Sequence, residues 1–168
     1  MGFDLSGKNP KMNISEESFR ILCKYNKIER FDEKHSAMDE AGERDIYWEE
    51  YNEFEAANPG VYFRNNCWWW RPLWDFVCNT CEDFLTPNDM ERGSYNDGHL
   101  ITKVKSKRIA VRLNKLLKSD DVRDYALSYM DWKDSQDEDS FRKDYPFSEK
   151  NVERFARFCE ESGGFWIC

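Results

Sequence analysis

The run of tryptophans near the middle of the chain restricts its folding more than any other feature. Four of the seven tryptophans lie within residues 68–74, in the run Cys67-Trp68-Trp69-Trp70-Arg71-Pro72-Leu73-Trp74. Consecutive side chains point in different directions on a helix and to opposite faces on a strand, so one wall of a core cannot cover three adjacent indoles. We therefore expect at least one of Trp68, Trp69 and Trp70 to face away from the core.

Two interpretations of this run are open. In the first, two of the rings belong to the core and the third lies under a loop. In the second, the run is a stacking platform for a planar ligand or for a partner's side chain. Polar neighbours would then assist binding, with Arg64 and Arg71 making cation–π or anion contacts and Asn65 and Asn66 orienting polar edges of the ligand.

The composition fits one domain with a very polar surface. Aromatic residues make up 16% of the 168 residues, so a few large side chains can build a core. The net charge of −8 argues against binding of double-stranded nucleic acid, because the phosphates would repel the molecule. No apolar run approaches the roughly 20 residues that span a bilayer. We expect a cytoplasmic protein without membrane contact, with its cysteines reduced.

The apolar pattern predicts an α+β fold, a mainly helical single domain over residues 1–168 with a small sheet formed by the N- and C-terminal strands. Residues 1–7 and 165–168 are the strands expected to pair. Helices are predicted over about 16–26, over about 38–57, from Pro72 onward, over about 102–118, over about 120–133, and from Ser148 to Gly163. Because proline suits the first turn of a helix, we expect the tryptophan run to precede the helix in a loop or extended segment.

Two segments carry opposite charge. Residues 29–55 contain eleven acids and three bases, whereas the helix predicted over 102–118 contains seven bases and no acid. A row of bases suggests phosphate contacts when it is considered alone. The interpretation that we prefer is a solvated face, or internal pairing of the basic helix with the acidic segment.

Two small groups could support chemistry. Cys78 and Cys81 form half of a zinc site, and Cys67 and His99 are possible further ligands, but no spacing requires them. Cys81 also falls on the apolar face of its helix, so we predict no metal and no cofactor. Asp97 and His99 could act as a general base and its orienting group. Because no nucleophile accompanies them, ordinary turn chemistry, with His99 capping the next helix, is preferred and no catalytic residue is predicted.

Long segments of the chain are similar to a family of small uncharacterised proteins encoded by bacteriophages and by bacterial genomes near prophage genes. The similarity is carried by YFRNNCWWWRPLW at residues 62–74, YNDGH at 95–99 and FCEESGGFWIC at 158–168. It covers residues 1–10 and about 60–168, which implies that residues 11–59 are an acidic helical insertion. The family brings a phage setting and no established activity.

The resemblance implies a non-catalytic binding protein whose ligand is a host protein or a small anionic or nucleotide molecule, with inhibition of host defence as the expected role. We expect its site where the tryptophan run meets the YNDGH turn, built from Arg64, Asn65, Asn66, Trp68, Trp69, Trp70, Arg71, Tyr95, Asn96, Asp97 and His99. Two alternatives stay open: a metal-assisted hydrolytic enzyme that uses Asp97 and His99, and a structural or assembly protein that oligomerises through its tryptophan-rich segment.

Overall fold

The computed structural model of the protein describes residues 2–137 and 140–168. The chain divides into two units, one formed by Met1–Lys11 together with Pro59–Cys168 and the other by Met12–Asn58. The first unit contains a sheet with helices, and the second is helical in its described residues. The predicted α+β class, mainly helical with a small sheet, is therefore confirmed.

The sheet joins the two ends of the chain, as predicted. Its four antiparallel strands lie in the order β2-β1-β4-β3. Leu5 pairs with Ile167, and both side chains are fully buried. The strands are β1 (Gly2–Gly7), β2 (Tyr62–Asn66), β3 (His99–Ile101) and β4 (Phe165–Ile167). Strands β2 and β3 were not predicted, because each is too short to show a clear alternation of apolar residues.

The helices of the first unit follow the predicted order with one large shift. They are α4 (Cys67–Thr80), α5 (Pro87–Arg92), α6 (Lys103–Lys118), α7 (Asp121–Asp134) and α8 (Glu149–Glu161). Ser148 caps α8 by accepting the N–H of Asn151, and Gly163 follows the helix with φ +64°, as predicted for a left-handed C-terminal residue.

The prediction that a helix begins at Pro72 is wrong, because α4 begins at Cys67 and contains the whole tryptophan run. Asn66 caps this helix, and its Oδ1 accepts the N–H of Trp69 at 3.0 Å. Pro72 is thus the sixth helical residue and offers no N–H to the carbonyl four residues earlier, which costs about 3 kcal/mol. The cap and the burial of Trp70, Leu73 and Trp74 along one face offset that cost.

The segment predicted as one helix over 38–57 contains parts of two helices in the structure. The second unit contains α1 (Arg20–Asn26), α2 (Phe31–Ala41) and α3 (Arg44–Ala57), preceded by a 3-10 turn at Glu16–Ser18. Gly42 separates α2 from α3 because it adopts φ +64°, the left-handed conformation that ends a helix. Glu50 of α3 accepts the N–H groups of Ile21 and Leu22 at 2.7 Å each, which satisfies the start of α1.

The core of the first unit is built around two tryptophans of α4. Trp70 and Trp74 stack with ring centroids 5.3 Å apart, and both are almost completely buried. Their indole N–H groups donate to the carbonyls of Gly93 and Met90, at 2.8 and 2.9 Å. A Cβ at Gly93 would lie 2.1 Å from the Trp74 ring, so only glycine fits there. These two rings therefore fix the α5 region against α4.

No helix in residues 2–137 or 140–168 combines the length and the apolarity that crossing a bilayer requires.

Candidate binding site

The three adjacent indoles occupy three different environments. Trp70 is fully buried, Trp69 is half-buried, and Trp68 is 37% exposed with its ring centroid 5.1 Å from that of Tyr145. The expectation that at least one of these rings faces away from the core is confirmed. Because the run lies on a helix, Trp68 and Trp69 diverge from Trp70 toward two separate surfaces.

A groove lies beside α4 and α7, and one of its lining residues is Tyr145, the ring that Trp68 contacts. Two cavities of about 400 and 460 Å³ lie there and share Asp75, Tyr129 and Trp132 as lining residues. We call this feature the aromatic groove; its principal residues are Arg71, Asp75, Tyr95, Tyr125, Tyr129, Trp132 and Tyr145. Five of these seven side chains carry aromatic rings, so the groove offers a large contact area with few rotatable bonds.

The rings of the groove are held in place by one another. Tyr129 stacks on Tyr125 at 6.1 Å between centroids, and the rings of Trp132 and Phe147 lie 5.4 and 5.7 Å from it. Arg71 donates from Nη1 to the Tyr145 hydroxyl at 2.7 Å. Tyr95 is 53% exposed and projects into the solvent at the rim. The ring contacts and the Arg71–Tyr145 hydrogen bond therefore hold one wall of the groove in place, while Tyr95 at the rim stays open to solvent.

Burial and a nearby carboxylate keep the Tyr125 phenol and the Cys78 thiol neutral. Burial raises the pKa of Tyr125, and the nearby Asp75 carboxylate raises it further. The same two causes, burial first, raise the pKa of Cys78 to about 12. At neutral pH the Tyr125 hydroxyl is thus a hydrogen-bond donor, and Cys78 is a thiol with little nucleophilic character.

The predicted site residues are only partly brought together. Arg71 and Tyr95 line the same cavity of the aromatic groove, as expected for a site between the tryptophan run and the turn. Asn96 donates to the carbonyl of Gly2 at 3.3 Å, and Asn66 is committed to capping α4. Arg64 is exposed on β2, 3.5 Å from the Asp4 carboxylate. The tryptophan segment and the turn thus form no single cluster among the described residues.

Trp69 and Asn65 line a different and smaller pocket. It has a volume of about 240 Å³, and its lining residues are Asn65, Trp69, Ser148, Lys150, Asn151 and Arg154. We call it the amide pocket after the side-chain amides of Asn65 and Asn151, which are both only 7% exposed. Asn65 Nδ2 donates to Asn151 Oδ1 at 3.2 Å. The pocket lies where β2 meets the start of α8.

Asp97 and His99, the two residues of the enzyme alternative, have different partners in the structure. Asp97 forms an ion pair with Arg92 at 2.9 Å, whereas His99 Nε2 lies 3.1 Å from Asp89 Oδ1. Asp89 also accepts from Thr86 and from Lys105. His99 does not cap the next helix either, since Thr102 accepts the N–H of Lys105 there. Asp97 and His99 therefore do not form a base with its orienting group.

Asp89 is a buried structural carboxylate. Burial favours its neutral form, but hydrogen bonds from Lys105, Thr86 and His99 outweigh that effect and lower the pKa of Asp89 to about 2. The residue also completes the capping box of α5 with Thr86. This carboxylate therefore connects α5, β3 and α6, and it stays charged in the folded protein.

The cysteine pair lacks the surroundings of a metal site. Among residues 2–137 and 140–168, no group of three His, Cys, Asp or Glu side chains is placed to hold a metal ion. Burial raises the pKa of Cys81 to about 11, as it does more strongly for Cys78. A metal ligand must be a thiolate, so this environment works against the pair as ligands.

Four basic side chains of α6 form ion pairs with carboxylates of the same unit. Arg108 and Arg112 pair with Asp83, and both guanidinium groups lie over the Phe84 ring, at 4.1 and 5.8 Å. Lys107 pairs with Glu160 at 3.3 Å, and Lys105 with Asp89. These four bases are therefore paired internally, as preferred from the sequence, but with carboxylates outside residues 29–55.

Sequence reasoning missed most of the aromatic groove. Tyr125 and Tyr129 have the spacing of core-facing helical residues, but both are only half-buried, and Trp132 continues their row with 38% exposure. The spacing 125, 129, 132 is the one signal that could have identified the groove, because it places three aromatic rings on one face of α7. Asp75 and Tyr145 give no such signal, since the fold alone brings them together.

Comparison with protein-family models, with curated proteins and with solved structures found no match for this chain. Its function is therefore inferred from the geometry of the molecule itself.

Proposed function

We propose that the protein is a non-catalytic binding protein and that the aromatic groove is its contact surface for a host protein. The observation that carries this proposal is the continuous lining of tyrosines, a tryptophan and an arginine around two adjoining cavities. Tyr, Trp and Arg are the residue types that dominate the binding energy of protein interfaces. The resemblance to phage-encoded proteins adds the expectation that the partner belongs to the bacterial host and to its defence.

The shape of the groove favours a projecting side chain of the partner as its occupant. Each cavity, of about 400 or 460 Å³, is large enough for one aromatic or long aliphatic side chain. Exposed Tyr95 and half-exposed Trp132 would close around it and lose their contact with water. The net charge of −8 would increase the association rate with a basic partner.

Capture from a bacterial extract tests this proposal. The bait is the full chain, compared with a Tyr95→Ala/Trp132→Ala double variant and with Leu127→Ala. Leu127 is 57% exposed on α7 and does not line either cavity, so it is a matched control for loss of exposed apolar surface. We expect a protein that the wild type and Leu127→Ala retain and the double variant does not.

The retained protein is then purified and titrated by calorimetry. We expect the double variant to bind at least about 30-fold more weakly than the wild type, the loss typical of central aromatic interface residues. Equal affinity of wild type and double variant would place the interface elsewhere and contradict the proposal. Light scattering of the chain alone checks the alternative that a second copy occupies the groove, which would appear as a dimer that the double variant does not form.

A further inference from the structure

The amide pocket contains two buried amides with unused hydrogen-bonding capacity. Asn65 Nδ2 donates to Asn151 Oδ1, which leaves the carbonyl oxygen of Asn65 and the amide nitrogen of Asn151 without a partner among the described residues. Turning both amides over together reverses the direction of this bond and again leaves one nitrogen and one oxygen, whereas turning over only one of them would place two oxygens or two nitrogens in contact. Neither Asn65 Oδ1 nor Asn151 Nδ2 is fully enclosed by protein, so each can bond to water or to a ligand, and together they offer a ligand in the pocket one acceptor and one donor.

The other walls of the pocket suggest what that ligand carries. The half-buried Trp69 ring supplies a flat apolar surface, suited to stacking with a planar ring. Lys150 and Arg154 supply two positive charges, and neither forms an ion pair within residues 2–137 and 140–168. The Arg154 guanidinium lies 5.4 Å from the centroid of the Phe63 ring, which holds it beside the pocket.

The start of α8 does not account for these features. Its Ser148 hydroxyl already accepts the N–H of Asn151, so the capping position is occupied by the chain itself. A lone anion would pair with Lys150 and Arg154 but would make no contact that requires the two amides or the Trp69 ring. A planar ring with a donor next to an acceptor on its edge uses both amides, and nucleobases present such edges.

We propose that the amide pocket binds a 5′-mononucleotide. The base stacks on Trp69 and exchanges two hydrogen bonds with Asn65 and Asn151, while the phosphate pairs with Lys150 and Arg154. The volume of about 240 Å³ lies below the range of about 300–1,000 Å³ typical of drug-sized ligands. It accommodates one base with its phosphate, and the ribose lies at the open mouth. This inference does not depend on the aromatic groove.

Titration of the full chain with nucleoside monophosphates tests the proposal by calorimetry and by two-dimensional ¹H–¹⁵N spectra. The probes are AMP, GMP, CMP and UMP, the corresponding nucleosides, and inorganic phosphate at constant ionic strength. We expect at least one monophosphate to bind about tenfold or more tightly than its nucleoside and than phosphate. The side-chain amide signals of Asn65 and Asn151 should shift on binding.

Two variants on the same helix separate the pocket from general charge attraction. Arg154→Gln should weaken monophosphate binding about tenfold and leave nucleoside binding unchanged. Arg157→Gln removes a charge that is also exposed but lies outside the pocket, and it should change neither. Equal binding of phosphate and monophosphate, equal losses in both variants, or no heat and no shift at millimolar concentration of all four monophosphates would each overturn the assignment.

Discussion

Replacing Trp70 with alanine is expected to lower the free energy of unfolding by about 3–5 kcal/mol. Trp70 is fully buried, stacks on Trp74 and packs on Phe3 with ring centroids 5.4 Å apart. Its loss leaves a cavity of indole size and deprives the Gly93 carbonyl of its donor. Denaturant unfolding followed by circular dichroism measures the change.

The neighbour Trp68 provides the control. Because its ring is 37% exposed and contacts Tyr145 rather than the centre of the core, Trp68→Ala should cost less than about 1 kcal/mol. Similar losses for the two variants would mean that the two indoles are buried to the same extent. That result would contradict the placement of Trp68 and Trp70 in the first turns of α4 with only Trp70 facing the core.

Replacing Asp89 with asparagine is expected to destabilise the protein by about 3 kcal/mol at neutral pH. The substitution keeps the shape of the side chain but removes the charge that Lys105 and His99 share, and it leaves the Lys105 ammonium partly buried without a counter-charge. Asp97→Asn is the matched control, because the Asp97–Arg92 pair is almost half-exposed and should be worth less than about 1 kcal/mol.

The Asp89 effect should also depend on pH. The folded-state pKa of about 2 lies below the ordinary value of 3.8, so the unfolded chain binds the proton first as the pH falls. The stabilisation, about 2–3 kcal/mol, is complete above about pH 4 and is lost between about pH 4 and pH 2. The difference in stability between wild type and Asp89→Asn should therefore shrink over this interval. A constant difference would show that the carboxylate is not held in its charged form.

The elements predicted correctly are those in which the apolar pattern is strong and local. Helices α6 and α8 show a continuous apolar face, and Gly163 marks the end of α8. The pairing of β1 with β4 was also predicted, because two short alternating segments at the ends of the chain needed partners. In each case local periodicity and packing favour the same structure.

The errors arise where a local preference is overruled by packing. Proline is best tolerated in the first turn of a helix. Because Trp70 is buried and Asn66 caps the helix, α4 nevertheless begins five residues before Pro72. The pairing of His99 with Asp89 spans ten residues and depends on the capping box of α5, so the sequence near His99 gave no sign of it and the expected role of His99 as a helix cap was wrong. The aromatic groove depends on α4 and α7 lying side by side, which residue spacing alone does not specify.

Oxidative footprinting of the seven tryptophans tests most directly whether the helix distributes three adjacent indoles among the core, a small pocket and the exposed surface next to Tyr145. After brief exposure of the folded protein to hydroxyl radicals, mass spectrometry measures the modification at each residue. The account predicts rapid oxidation of Trp68 and Trp132, an intermediate rate at Trp69, and protection of Trp70 and Trp74. Equal protection of Trp68, Trp69 and Trp70 would contradict it.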